Sequence, residues 1–316
     1  MSSRFKFGQH VDLCARLREI LANYPEDGLL KEMVQNADDA RAGTFKVMVD
    51  KRSHASETLL VPGLAPFQGP ALCVFNDASF TDDDLQSIQN VGGSLKKADG
   101  TGKTGKFGVG FNSCYHVTDL PGLLTRHMIM FLDPSQEHLG GEVGAGYEFA
   151  KEVEEHPDQF APWHVFGCDC RSEFAGTIFR LPLRSTEHVL NSGSGGISKR
   201  PFADIDVENL VRSFVDSLPE LGLFLQNVHT IEIYEWGEDA AAPKLLWEQT
   251  IREVGHQEPT PRAHLSSVLA ANHELSSSFE AQTFMNCITV QLSQGSDGNS
   301  GLATWLVAQR RKRQGA

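Results

Sequence analysis

The sequence predicts an α/β fold, in which two helices and two strands lead to a glycine-rich loop and further strands, and a second α/β segment follows. Three observations predict it. Apolar residues recur at helical spacing over residues 10–23 and 29–41. Apolar and polar residues alternate from Phe45 to Val49, as on a half-buried strand. The run Leu72-Cys73-Val74-Phe75 stops at Asn76-Asp77, the pattern of a buried strand entering a turn.

The elements follow in order. Leu13, Cys14, Leu17, Ile20 and Leu21 form the apolar stripe of the first helix. Tyr24-Pro25-Glu26-Asp27-Gly28 breaks it, and Asp27 is placed to cap the second. Residues 92–110 are dense in glycine and lysine and have no apolar period, so they form a loop. A helix is expected to open at Phe111, over FNSCYHVTDL. Met128–Leu132 and Thr177–Leu181 are strand candidates. Asn191-Ser192-Gly193-Ser194-Gly195-Gly196 has the composition of a linker. It divides residues 1–190 from a segment 201–316, with 191–200 between them. Beyond it a helix is expected near 206–218 and strands near 229–235 and 284–292. The stretch 236–283, rich in Ala, Glu and Ser, reads as a variable insertion. No repeat of about 20 to 50 residues is visible.

Composition narrows the function. The 316 residues are 40% hydrophobic and 22% charged, enough for a globular core. A net charge of −13 argues against nucleic acid and anionic membranes as partners, because both reward Lys and Arg. The basic run Arg310-Arg311-Lys312-Arg313 reads as a solvated tail. No apolar leader or spanning stretch is present, and the 6 cysteines show no zinc spacing. These features fit reduced thiols and a cytoplasmic protein.

Candidate chemistry begins in the second helix. Leu30, Met33, Val34 and Ala37 share one side of it, while Glu32, Asn36 and Asp39 share the opposite stripe at spacings of four and three. A carboxylate, an amide and a second carboxylate suit a magnesium–nucleotide site. Mg²⁺ takes hard oxygen ligands, which Asn36 can supply, and Glu32 one turn away can orient and deprotonate a water. The bland alternative is a solvated polar face, but the stripe lacks Lys/Glu alternation.

The loop Gly100–Phe111 offers three frames. Gly100-x-Gly102-x-x-Gly105 has the dinucleotide-binding spacing but no strand before it. Gly100 to Lys106 fits a phosphate-binding loop until Phe107 stands where Ser or Thr must bind Mg²⁺. The third frame, Gly105-x-x-Gly108-x-Gly110, leads into Phe111, and its glycines let backbone N–H groups approach phosphate.

Together these segments resemble a known family. Glu32-x-x-x-Asn36-x-x-Asp39-Ala40 is similar to the first conserved box of the GHKL ATPases, which include gyrase, Hsp90, histidine kinases and MutL. Gly105-Lys106-Phe107-Gly108-Val109-Gly110-Phe111 resembles the Hsp90 form of their second glycine box. Phe174–Leu181 resembles the Gly-Thr strand that closes their adenine pocket. Within the superfamily the likeness is to the Hsp90-like repeats of the sacsin family, strong from Phe7 to Leu183 and weaker to about Glu235. Typical members are far longer, so the chain is expected to be a compact relative or a piece of a longer protein.

The resemblance implies a two-layer α/β sandwich, with helices on one face of a mixed, mostly antiparallel sheet, followed by a smaller middle-like α/β segment. It implies ATP and Mg²⁺ as ligands. Glu32 would be the general base and Asn36 the Mg²⁺ ligand. Asp39 and Ala40 would support the pocket. Asp77 would accept from the adenine amino group, with Thr177 joining through water. Gly105, Lys106, Phe107, Gly108, Val109, Gly110 and Phe111 would cradle phosphate, under a lid of residues 82–104. Asn76-Asp77-Ala78-Ser79-Phe80 departs from the family's D-x-G-x-G box by lacking both glycines, a form the sacsin repeats share. The leading expectation is a slow ATP hydrolase with chaperone-like action on protein clients or with co-chaperones. The alternative is a nucleotide-gated interaction module with little hydrolysis. A histidine kinase or mismatch-repair ATPase is disfavoured, because no phospho-acceptor domain precedes and the charge is acidic. Arg180, Arg184, Arg200 and Arg212 are candidates, by charge alone, for the basic residue that completes such a site.

Overall fold

The computed structural model describes residues 12–89, 110–191, 196–222, 224–253, 283–294 and 299–310, the last two stretches and residues 86–89 and 251–253 by backbone alone. Helix α1, Leu13–Asn23, starts at Asp12, whose carboxylate accepts the Cys14 N–H at 3.1 Å. A 3-10 turn over Glu26–Gly28 runs directly into α2, Leu29–Asp39. Asp27 does not cap that helix. Gly28 holds the cap position without a side-chain bond, and the Leu29 N–H already donates to the Glu26 carbonyl. Helix α2 buries Leu30, Met33, Val34 and Ala37, the stripe its spacing predicts, together with Leu29 and Asp38. Each large apolar side chain there contributes about 1.5–3 kcal/mol.

Strands β1 (Thr44–Asp50) and β2 (Ala71–Asn76) pair antiparallel, and α3 (Asp82–Gln89) follows. Then come β3 (Gly122–Arg126), β4 (Met128–Leu132) and β5 (Gly144–Glu148), two single-turn helices, α4 (Phe149–Glu152) and α5 (Pro157–Phe160), and β6 (Phe174–Pro182). The chain continues through α6 (Thr186–Asn191), α7 (Asp204–Leu221), β7 (Thr230–Trp236), β8 (Lys244–Glu253), β9 (Thr283–Gln294) and β10 (Asn299–Arg310). The strands form one 10-stranded sheet in the order β10-β9-β8-β7-β1-β2-β6-β3-β4-β5. Every neighbouring pair is antiparallel except β1 with β7, so the sheet is mixed and mostly antiparallel.

Period-two alternation divides the core into two layers of packing. Phe45 and Val47 of β1, Leu72 and Val74 of β2 and Phe179 of β6 face α1, α2 and α7, where Leu17, Val34, Phe214 and Leu218 meet them. Met48, Cys73, Phe75 and Ile178 face the other way, onto Phe67, Phe149, Phe160 and Trp163. The long helices therefore form one layer and the sheet the second, which is the α/β sandwich expected. The opposite sheet face is covered by short helices and turns.

Three differences from the sequence expectations have physical causes. Phe111–His116 is a 3-10 helix, not an α-helix. The carbonyls of Tyr115, His116 and Thr118, at and just past its end, accept from Arg184, so they are satisfied without a continuing α-helical turn. Strand β8 lies inside 236–283 and pairs with β7 from Thr230↔Thr250 to Glu235↔Lys244, so that stretch supplies sheet as well as connection. Finally, the sheet and the helix-side core run across residues 191–200. β7 lies beside β1, and α7 packs with α2.

A buried carboxylate fixes that junction. Asp38 is 8% exposed, and its Oδ1 accepts from the N–H groups of Asn227 at 2.6 Å and Val228 at 2.8 Å, while Gln226 donates to Oδ2 at 2.9 Å. The turn leading into β7 is thereby tied to the end of α2. Asp38→Ala is expected to lower unfolding free energy by about 1.5–3 kcal/mol, the scale of bonds to a charged acceptor. Urea unfolding reads this directly, and an unchanged midpoint would show that the carboxylate contributes nothing.

Candidate functional site

A cleft lies between α2 and the loop that follows β2. It is narrow, with a cavity volume of about 20 Å³, and Met33, Asn36, Ala37, Ala40, Asn76, Ala78, Ser79, Phe80, Asp84, Phe111 and Phe179 line it. Helical spacing explains one wall, since residues 33, 36, 37 and 40 fall on adjoining faces of α2. Phe80 and Phe111 each meet Phe179, with centroids 6.2 and 5.7 Å apart, and form an apolar floor.

Glu32 stands one turn before Asn36 and is half-buried. Gly110 is packed so closely that a Cβ on it would lie 2.3 Å from Glu32 Oε2. The carboxylate is thus brought against the end of the glycine segment, and a Cβ at 110 would push it aside. Gly105, Lys106, Phe107, Gly108 and Val109 lie outside the described residues, as do residues 90–104 of the expected lid. The root of that lid is well tied. The Thr81 hydroxyl and N–H reach Asp84 Oδ2 at 2.7 and 2.9 Å, and Asp84 N–H returns to Thr81 Oγ1 at 3.2 Å. This reciprocal cap starts α3. Arg126 pairs with Asp82 beside it.

The floor of the loop is held by two hydroxyls. Thr177 is fully buried, and its Oγ1 donates to the Ala78 carbonyl at 2.7 Å. Thr125 Oγ1 accepts from the Phe80 N–H at 3.1 Å and donates to the Gly176 carbonyl at 2.9 Å. Gly176 allows β6 to pass close to β2, because a Cβ there would lie 2.8 Å from the Asn76 carbonyl oxygen. Thr177 pairs with Asn76 in the ladder and does not itself line the cleft.

The expected adenine anchor is placed differently. Asp77 is exposed and lies outside the lining of the cleft. Its Oδ1 accepts the N–H groups of Gly43 and Thr44 at 2.8 and 3.0 Å. Its neighbour Asn76, 6% exposed, lines the cleft instead, with Oδ1 accepting the Ala78 N–H at 3.0 Å. Strand alternation carried this signal. Leu72, Val74 and Asn76 share the helix-facing side of β2, whereas Asp77 falls after the strand has ended. Asp39 is exposed and outside the lining, while Asn36 and Ala40 belong to it.

The candidate arginines are engaged elsewhere. Arg180 donates to the carbonyls of Phe67 and Gly69, both at 2.7 Å, and its burial lowers its pKa. Arg184 is 1% exposed and binds both Asp119 carboxylate oxygens through one guanidinium edge, Nε and Nη2, each at 2.9 Å. Arg200 bridges Glu26 and Asp206. Arg212 is exposed on α7. None of the four is among the lining residues. His116 also serves the fold, its Nε2 lying 2.7 Å from the Tyr24 carbonyl. Among the described residues no group of three or more metal-binding side chains is assembled, and no helix is long and apolar enough to cross a membrane.

A family profile described as the sacsin domain matches residues 10–248. The human protein Sacsin is 34% identical over 316 aligned residues, which cover 96% of this chain but 7% of that relative's length. The chain spans a small part of the relative it matches, and within that part it belongs to the sacsin domain family.

Proposed function

We propose that the chain is an Hsp90-like ATP-binding and ATP-hydrolysing domain of a sacsin-type protein, with a chaperone-like role in protein folding or quality control. The observation that carries this reading is the approach of Gly110 to the Glu32 carboxylate. It joins the polar stripe of α2 to the end of the glycine segment, so that a Cβ at position 110 would displace the Glu32 carboxylate from its present place. The donor set is compatible with the ligands. Asn36 offers a hard oxygen to Mg²⁺, and a glycine cradle leaves backbone room for phosphate. Bound Mg-ATP would supply the phosphoanhydride, and Glu32 would orient a water and accept its proton. The apolar floor of Phe80, Phe111 and Phe179 suits a flat base, and the Asn76 oxygen has a second lone pair for an amino group.

Calorimetry with Mg-ATP tests the binding half. Asn76→Ala is expected to weaken affinity roughly tenfold, about one hydrogen bond. Asp77→Asn keeps the oxygen that Gly43 and Thr44 need and should leave affinity within about twofold. The reverse pattern would return the adenine contact to Asp77, and no binding at all would remove the nucleotide reading.

A second reading is a nucleotide-gated interaction module with little hydrolysis. It is favoured by the engagement of Arg180, Arg184 and Arg200 away from the cleft. A turnover assay beside the calorimetry separates the two.

A further inference from the structure

The turn from His164 to Ser172 brings two thiols together. Cys168 Sγ and Cys170 Sγ lie 3.7 Å apart, near van der Waals contact, with one residue between them. The turn is braced by Asp169, whose Oδ1 accepts the N–H groups of Arg171 and Ser172, both at 2.8 Å, and whose Oδ2 takes the Ser172 hydroxyl at 2.9 Å. Phe166, Gly167 and Cys170 all have positive φ, at 51°, 83° and 53°, so the backbone folds back far enough to aim both side chains inward. Cys168 is 5% exposed and Cys170 is fully buried, so solvent meets Cys168 first. The nucleotide reading assigns nothing to this pair, and the present inference does not depend on that reading.

From this geometry we propose that Cys168 and Cys170 form a redox-active dithiol, a modification site that a hydroperoxide oxidises to an intrachain disulfide. In the first step the Cys168 thiolate attacks the peroxide. An S–O bond forms, the O–O bond breaks, and the departing oxygen takes the proton the thiol released. Cys168 becomes a sulfenic acid. In the second step Cys170 sulfur attacks Cys168 sulfur. The S–S bond forms, the S–O bond breaks, and hydroxide leaves with the Cys170 proton as water. The two sulfurs lose two electrons, and hydrogen peroxide becomes two waters. The sulfurs need only close from 3.7 Å to a bond of about 2.05 Å.

The other described thiols are poor competitors. Burial pushes Cys14 up to about 11 and Cys73 up to about 12, and raises Cys114 as well. Cys168 alone among the five is shifted down, because the neighbouring Cys170 thiol hydrogen-bonds to its sulfur.

Peptide mapping of the full chain tests the site. The folded protein is treated with hydrogen peroxide, unfolded, alkylated and digested with trypsin. Residues 152–171 form one tryptic peptide holding both thiols and no other cysteine. The expected product is that peptide unalkylated and lighter by two hydrogens, reversed by dithiothreitol, with Cys14, Cys73 and Cys114 still alkylated. In Cys170→Ser, shown folded by circular dichroism, Cys168 should accumulate a sulfenic acid trapped by dimedone. A peptide that stays reduced while another cysteine oxidises, or that goes directly to sulfinic acid without a disulfide, would overturn the proposal.

Discussion

Arg184→Ala should unfold in urea with a stability loss of about 3–5 kcal/mol, the cost of breaking a buried ion pair by removing one partner. The guanidinium is 1% exposed and spans six acceptors, the most distant being the Arg200 carbonyl at 3.5 Å. Both oxygens of Asp119 take it at 2.9 Å, and the carbonyls of Tyr115, His116 and Thr118 take it at 2.6, 2.8 and 3.2 Å. Truncation leaves the 9%-exposed Asp119 carboxylate with its charge uncompensated in the interior. Arg184→Lys should recover less than half of the loss, since one ammonium cannot serve a bidentate carboxylate and these carbonyls together. The same bonds shape Phe111–His116, so nucleotide affinity should fall in parallel if the cleft binds nucleotide. An unchanged urea midpoint for Arg184→Ala would sink the assignment.

Glu32→Ala should lower turnover of Mg-ATP by roughly 10²–10⁴-fold while nucleotide binding survives. The change removes a proton acceptor and opens space beside Gly110 rather than filling it, so the cleft keeps its shape. Phosphate release and calorimetry on one sample read the two effects separately. Undiminished turnover would remove Glu32 from the chemistry. A wild type that binds nucleotide but does not turn it over would favour the interaction module, and would make the engagement of the arginines the reason.

The sequence was most informative where one periodicity decides the outcome. The buried stripe Leu30, Met33, Val34 and Ala37 follows from a period of 3.6, and so do Glu32 and Asn36 on the other side. β1 follows from apolar–polar alternation, and β2, β4 and β6 from apolar runs of strand length. The glycine at 110 was visible as part of a motif. β3 and β5 were not legible, because GLLTR and GAGYE hold too few apolar residues to make a run or an alternation, unlike the equally short but wholly apolar β4.

Tertiary structure alone decided the rest, through contacts between residues distant in the chain. The partner of Asp38 is the turn at 226–228, some 190 positions away, and no local pattern marks that carboxylate as buried. Parallel pairing of β7 with β1 carries the sheet across a stretch whose composition looks like a linker. Four arginines look alike by charge, yet packing sends Arg180 and Arg184 into the interior and Arg200 into a surface ion pair. The choice between Asn76 and Asp77 depends on the residue at which β2 stops, because a one-residue shift moves a side chain to the other face of the sheet. By itself the sequence determined the family, the α/β class and the helix that carries Glu32 and Asn36. The fold decided which neighbouring polar groups face the cleft and which are spent on backbone, because that depends on long-range pairing and burial.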